Sequence, residues 1–281
     1  MKIAFYGSRG AYSEAAAAAI FDEDIATYPH TSFAPLFDAL DSGKVDLAVV
    51  PYNSSRVGNI PEILHLLRER NVCVNYHIRI STAFVLAGMR DAQESDVKEI
   101  IADPLALLYC SQYVQSRKDV KLTPTFRMEE EVLTALPAKN DKQLATLCGP
   151  YAATIFGFKT LKPNCNDDSK AFMVYLGLGK EPRVPDKKEL AKGKPVTMVV
   201  IDLADEPGAL MHSLEAFATE EINLISMELK PTDRKQGRVS FFVTFEGMHE
   251  DENVKAVIRK LESVTAYVHC LGSYVPRIVA D

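Results

Sequence analysis

Two hydrophobic periods alternate over the first 180 residues of the chain. Short apolar runs at Lys2–Tyr6, Asp46–Val50, Val72–Ile80, Ala83–Ala87, Val97–Ala102, Lys121–Phe126, Gln143–Cys148 and Ala171–Leu178 predict strands. Between them, apolar residues three and four apart predict helices over Ser13–Phe21, Pro61–Arg70, Pro104–Ser116, Met128–Leu136 and Pro150–Phe156. Such alternation predicts α/β layering around largely parallel sheets. A crossing near Ile80–Ala83 and a return near Asn164–Phe172 predict a division into two lobes, of the kind seen in periplasmic binding proteins. Ligands in such folds sit beyond the carboxyl ends of strands, in the crevice between the halves.

The pattern breaks at Lys180–Pro195, where nine charges and three prolines surround only Val184, Leu190 and Ala191. That composition predicts a solvated linker at 181–195, between a first domain at 1–180 and a second at 196–275. The second domain runs strand Val196–Leu203, helix Pro207–Thr219, strands Asn223–Lys230 and Arg238–Phe245, helix Asp251–Leu261, strand Thr265–Gly272. This is a split βαββαβ, ferredoxin-like unit. Pro207 and Gly208 stop its first strand, so the following helix presents free N–H groups to a loop, where a carboxylate can be held. Along Asn223–Glu228, alternation of Leu224, Ser226 and Glu228 with Ile225 and Met227 predicts a strand with one buried face.

Composition narrows the functional classes. A chain of 281 residues with 47% hydrophobic content supports two cores, and a formal net charge of −6 without a basic patch argues against nucleic acid. No apolar run reaches the ~18 residues of a membrane helix, and the opening MKIAFYGSRG is a strand and glycine turn, so a cytoplasmic location is expected. The five cysteines and six histidines are scattered, which points to reduced core thiols and to no metal site.

Several strings resemble the prephenate dehydratase family with its C-terminal ACT domain. Gly7–Ala16 (GSRGAYSEAA) is similar to that family's opening glycine turn. Val49–Ile60 (VVPYNSSRVGNI) resembles its Val-Pro-Ile-Glu-Asn-Ser loop, and Asp103–Cys110 (DPLALLYC) a helix start. In the second domain Gly208, Ala209 and Leu210, the string Ile222, Asn223 and Leu224, and Met227–Pro231 with Glu228 resemble its effector motifs. The resemblance implies elimination of water and carbon dioxide from prephenate to give phenylpyruvate, without cofactor. It also implies inhibition by phenylalanine at the ACT domain and assembly as homodimers or homotetramers.

That reaction needs donors for two carboxylates and an acid near the departing hydroxyl. Asn53, Ser54, Ser55, Arg56, Ser81 and Arg9 are the candidate anchors, with Ser169 or Thr82 as acid and Lys170 as its electrostatic partner. Departures from the family strings put Asn53 where Glu is expected, Ala102 and Asp103 for Ser-His, and Thr82 where a His is usual. Asp103 fits a plain cap ahead of Pro104, since a carboxylate ~4 Å from a bound carboxylate would cost about 4 kcal/mol. Gly7–Gly10 reads equally as an anion loop or as a turn capped by Ser13. The segment from Asp167 to Phe172 reads as an acid site or as a polar turn, and Gly208–Leu210 with Glu228 as an effector site or an empty dimer interface. Two rivals therefore stand beside the dehydratase: a catalytically silent, amino-acid-responsive binding protein, and altered chemistry on prephenate or arogenate.

Overall fold

The computed structural model describes residues 1–21, 25–125, 129–139, 141–230 and 238–279. Along the first lobe run β1 (Lys2–Tyr6), α1 (Tyr12–Ile20), β2 (Ala26–His30), α2 (Phe33–Asp41), β3 (Leu47–Ser54), β4 (Gly58–Asn59), α3 (Pro61–Glu69) and β5 (Cys73–Ser81). The second lobe holds β6 (Val85–Gly88), β7 (Glu99–Ala102), α4 (Pro104–Tyr109), α5 (Ser111–Ser116), β8 (Lys121–Pro124), α6 (Glu129–Lys139), β9 (Leu144–Cys148), α7 (Pro150–Ile155) and β10 (Lys159–Lys162). The chain returns through β11 (Phe172–Gly179), then α8 (Lys187–Leu190), β12 (Val196–Ala204), α9 (Ala209–Thr219), β13 (Leu224–Lys230), β14 (Arg238–Glu246), α10 (Glu252–Val264), β15 (Tyr267–Tyr274) and β16 (Pro276–Val279).

Three sheets result. The first lobe is ordered β16-β5-β11-β3-β1-β2 with β4 on β3, the second β10-β6-β9-β7-β8, and the C-terminal unit β13-β14-β12-β15. The sheets are less parallel than the sequence predicts, because β11 runs antiparallel between β3 and β5. The predicted helix over Pro104–Ser116 is two helices that break at Cys110 (φ −110°, ψ 27°). Predicted residues Phe126 and Met128 lie outside the described ones. Ser13 is no cap: Ala11 precedes the helix, and the Ser13 hydroxyl donates to the Tyr6 carbonyl.

The C-terminal sheet has two covered faces. On one, Val199, Ile201 and Phe245 pack under Phe217 of α9 and Leu261 of α10. On the other, Met198, Val200, Phe242, Leu271 and Tyr274 join Leu64, Leu67, Val74 and Leu176 in the core of the first lobe. At about 25 cal/mol per Å² of apolar surface removed from water, such a shared core binds the unit to the lobe. The segment 181–195 is pinned as well. Asp186 caps α8, Arg183 pairs with Glu189, and Asn75 Nδ2 donates to the Glu181 carbonyl at 3.1 Å. Beyond β15 the chain rejoins the first lobe, where β16 runs parallel to β5 with Pro276 opposite His77.

His77 marks this seam. Its ring stacks on Tyr274 with centroids 5.3 Å apart and planes at 5°. Its Nδ1 is buried without a hydrogen-bond partner among the described residues, and burial pushes the imidazole down to about 4 from 6.5. The unfolded chain therefore binds the extra proton between those two values, and stability is lost as pH falls through that window. Between about pH 7 and about pH 4.5 the contribution amounts to about 2 kcal/mol. Urea unfolding should show it, and His77→Phe, which keeps the stacked ring, should flatten the acid-side decline by that amount.

Candidate functional site

The crevice lies where the chain crosses between lobes. The first lobe contributes Ser54, Ser55 and Arg56 from the turn after β3, Tyr12 at the start of α1, and Thr82 just beyond β5. Across from them stand Asp103, Leu105, Ala106 and Tyr109 of the α4 region, while Asn166, Ala171 and Met173 come from the returning segment. Two adjoining cavities that share Thr82, Tyr109 and Met173 make it up: one of about 40 Å³ at Ser54, Ser55, Arg56 and Asn166, and one of about 480 Å³ with Phe84, Ala102, Leu147 and Tyr175 among its apolar walls. Such a space suits one small ring compound held by a few polar groups.

The turn that carries Arg56 is closed at several points. The Ile60 N–H donates to the Tyr52 carbonyl at 2.9 Å, and the Asn53 side chain donates to that of Asn59. Ser54 Oγ accepts the Arg56 N–H at 3.2 Å. Ser55 exchanges two bonds with Phe172 of the return strand, its N–H donating to the carbonyl and its Oγ accepting the N–H, both at 3.0 Å. Arg56 then reaches across the crevice, its guanidinium 4.4 Å from the Tyr109 ring centroid.

Among the described residues, Arg56 and Asp103 are the charged groups of the lining. Asp103 caps α4, with Oδ1 accepting the Leu105 N–H at 2.7 Å, as the Asp-Pro pair predicts. Asp167 stands behind the wall. Burial pushes its carboxyl up, but bonds from the Ser111 hydroxyl and from the Ser111 and Gln112 amides, together with the Arg56 charge, hold it below its usual range.

Ser54, Ser55, Arg56 and Thr82 thus come together, and other predicted site residues do not join them. Asn53 is engaged with Asn59. Ser81 sits in the ladder opposite Phe172. Ser169 and Lys170 are exposed in a turn closed by Asp168, whose Oδ1 accepts the Lys170 N–H at 2.9 Å. Arg9 lies 5.6 Å from the Phe156 ring centroid, away from the crevice lining. The glycine turn is not an open anion loop either: its Gly10 N–H goes to Glu14 Oε2 at 2.7 Å and its Arg9 N–H to Glu130. Gly10 is needed because a Cβ there would come within 3.2 Å of the Ala152 Cβ, across the lobe contact. Tyr12, Tyr109 and Asn166 escape sequence reasoning, since no local pattern marks them and only the crossing of the lobes brings them together.

In the C-terminal unit Gly208 has φ +91° and starts α9, where Ala209 and Leu210 follow. Asn223 and Leu224 lead into β13, and the Asn223 carbonyl accepts the Glu246 N–H at 3.0 Å. β13 has the one covered face that its alternation predicts, and that face is the largely polar one. Ile225, Met227 and Leu229 are exposed at 52%, 38% and 56%, while Ser226, Glu228 and Lys230 are half-buried toward the first lobe. Burial lowers the Lys230 ammonium pKa, and its Nζ lies 3.0 Å from His65 Nδ1 on α3.

Residues 3–183 match the family described as prephenate dehydratase. An Arabidopsis thaliana protein named arogenate dehydratase/prephenate dehydratase 2, chloroplastic, is 28% identical over 98% of this chain and 72% of its own length. Among solved structures, prephenate dehydratase from Arthrobacter aurescens in complex with L-Phe has a TM-score of 0.80 at 24% identity, over 100% of this chain and 93% of that one. GqqA, described as a novel type of quorum quenching acylase, has a TM-score of 0.81 at 22% identity, over 98% of both chains. At these identities the structural likenesses speak for the fold.

Glu14 tests how the lobe contact is held, because its buried carboxylate accepts both the Gly10 N–H and the Thr27 hydroxyl, at 2.7 and 2.8 Å. Glu14→Ala should lower unfolding free energy by about 2 kcal/mol, and Glu14→Gln by less, in urea titrations.

Proposed function

Because the chain belongs to the prephenate dehydratase family, we propose that it is a lyase converting prephenate to phenylpyruvate in phenylalanine biosynthesis, with amino-acid feedback through its C-terminal unit. The observation that carries this reading is Arg56 beside Ser54, Ser55, Thr82 and Asn166 on one wall of an otherwise largely apolar crevice.

Each group has a role in that chemistry. Arg56, with the hydroxyls of Ser54 and Ser55, holds the side-chain carboxylate of prephenate by charge-assisted hydrogen bonds. The ring then lies against Phe84, Leu147 and Met173. The ring carboxylate meets apolar surroundings, which disfavour the anion and so favour its departure as neutral carbon dioxide. As that C–C bond breaks, its electron pair completes the aromatic ring, and the ring hydroxyl leaves as water with a proton supplied through Thr82. We assign that proton to Thr82 in preference to Ser169, because Thr82 lines the crevice and Ser169 is exposed in a turn.

The effector is an amino acid, phenylalanine, held at Gly208, Ala209, Leu210, Asn223, Leu224 and Glu228. The L-Phe complex of the Arthrobacter aurescens enzyme supports this choice. The exposed apolar residues of edge strand β13 support pairing of two copies as a homodimer or homotetramer. A cytoplasmic location fits the described residues, in which no helix is long and apolar enough to cross a membrane.

Asp103 favours a second reading. Arogenate carries an ammonium where prephenate carries a keto oxygen, and an acid in the lining would complement that ammonium. A relative with arogenate in its name supports it.

Purified protein given prephenate should form phenylpyruvate above the spontaneous rate, and given arogenate should form phenylalanine. Failure with both would leave a silent binding protein. Arg56→Gln should lower kcat/KM about 100-fold, mainly through KM, and Thr82→Val should lower kcat about 100-fold. If arogenate is the substrate, Asp103→Asn should lower its kcat/KM about tenfold and spare that for prephenate.

A further inference from the structure

Helix α3 touches both functional regions. Its N-terminus is continuous with the closed hairpin that presents Arg56, through Ile60, whose N–H returns to Tyr52. Its other end is fixed to the C-terminal sheet. Arg68 makes a forked pair with Asp202 of β12, Nε donating to Oδ1 at 3.3 Å and the Nη2 group to Oδ2. Asp202 is 1% exposed and also accepts the Ser240 hydroxyl at 2.6 Å, so its carboxylate has little freedom to move. The Arg68 guanidinium lies 4.9 Å from the Tyr267 ring centroid. One turn earlier, His65 meets Lys230 on β13, the strand that carries Glu228.

A second line runs parallel to the first. Tyr52 is the last buried residue of β3 before the turn, and its phenol pKa is pushed up by burial first, then by Tyr274 and Glu228. Polar residues of β13 therefore face the hairpin and helix that set the crevice, while its apolar residues face away. On surface grounds alone that orientation is unfavourable. It has a use if the strand reports to the lobe.

We propose that the hairpin 52–60 and helix α3 move as one body that couples the amino-acid site on β13 to Arg56, with Arg68 and His65 as the positioning residues. This rests on the reading of the crevice and of β13 given above. A nine-residue helix joined at one end to the hairpin and clamped at the other to Asp202 transmits displacement, because the first junction cannot stretch without breaking the Ile60–Tyr52 backbone bond and the second cannot without unpairing the buried Asp202 carboxylate. Filling the site on β13 shifts Glu228 and Lys230, the helix follows, and Arg56 is repositioned. Linkage requires the reverse effect of substrate on effector to be equal.

The test uses the full chain with L-phenylalanine as probe and the double variant Arg68→Gln/Asp202→Asn, which removes both charges and leaves hydrogen-bonding groups in place. Hydrogen–deuterium exchange of residues 52–69 is measured with and without L-phenylalanine, and kinetics with and without it. The wild type should change exchange across 52–60 on binding, and its KM should shift. In the double variant the exchange response should vanish and the KM shift should fall about tenfold, with kcat and the unfolding midpoint close to wild type. His65→Phe, which keeps the helix clamp, should reduce the response about threefold. A wild type whose 52–60 exchange ignores saturating L-phenylalanine, or a folded double variant with an undiminished response, overturns the proposal. Absence of turnover alongside an intact exchange response would instead sink the dehydratase reading and leave the coupling standing.

Discussion

One constraint organises the molecule: the inner strands β12 and β14 of the C-terminal sheet are covered on both faces. Phe242, Met198 and Tyr274 are buried by the first lobe in the same core as Leu67 and Val74. A buried charged group at such a seam is tolerated only when paired, and Asp202 meets that condition through Arg68 and Ser240. The C-terminal unit is therefore no loosely tethered sensor. It forms part of the wall against which β3, β5 and α3 are set, and those elements place the groups of the crevice.

The crevice itself is economical. Among the described residues, one guanidinium, two serine hydroxyls and a threonine meet an apolar wall, and aromatisation supplies much of the driving force for losing water and carbon dioxide. The protein's contribution is then orientation and exclusion of water, which is worth several kcal/mol when the reacting groups are held close to their final geometry. The reciprocal bonds between Ser55 and Phe172 and the Asn53–Asn59 contact provide that rigidity at the hairpin.

Much of this could be read from residues alone. The β–α alternation, the split βαββαβ unit and the Asp103 cap are encoded by local periodicity or by turn chemistry, whereas Ser54–Arg56 and Thr82 were marked by the family resemblance. What escaped was non-local. β2 is a mostly exposed strand interrupted by Pro29 and β16 an exposed four-residue strand, so neither carries a hydrophobic period. The antiparallel placement of β11 depends on where the chain returns, and its all-apolar sequence fits either direction. On β13 the alternation was legible, but which face is covered depends on the first lobe and is not set by the strand's own residues. Ser169 and Lys170 were candidates in a polar turn, and that turn, closed by Asp168, leaves them exposed.

The most direct measurement of the central claim is a crystal structure of the protein with prephenate, or a non-reacting analogue that keeps both carboxylates. The account predicts one carboxylate on Arg56 and the Ser54–Ser55 hydroxyls, the ring against Phe84 and Met173, and the ring hydroxyl within hydrogen-bond reach of Thr82. A ligand bound away from Arg56, or with its ring hydroxyl remote from Thr82, would contradict it.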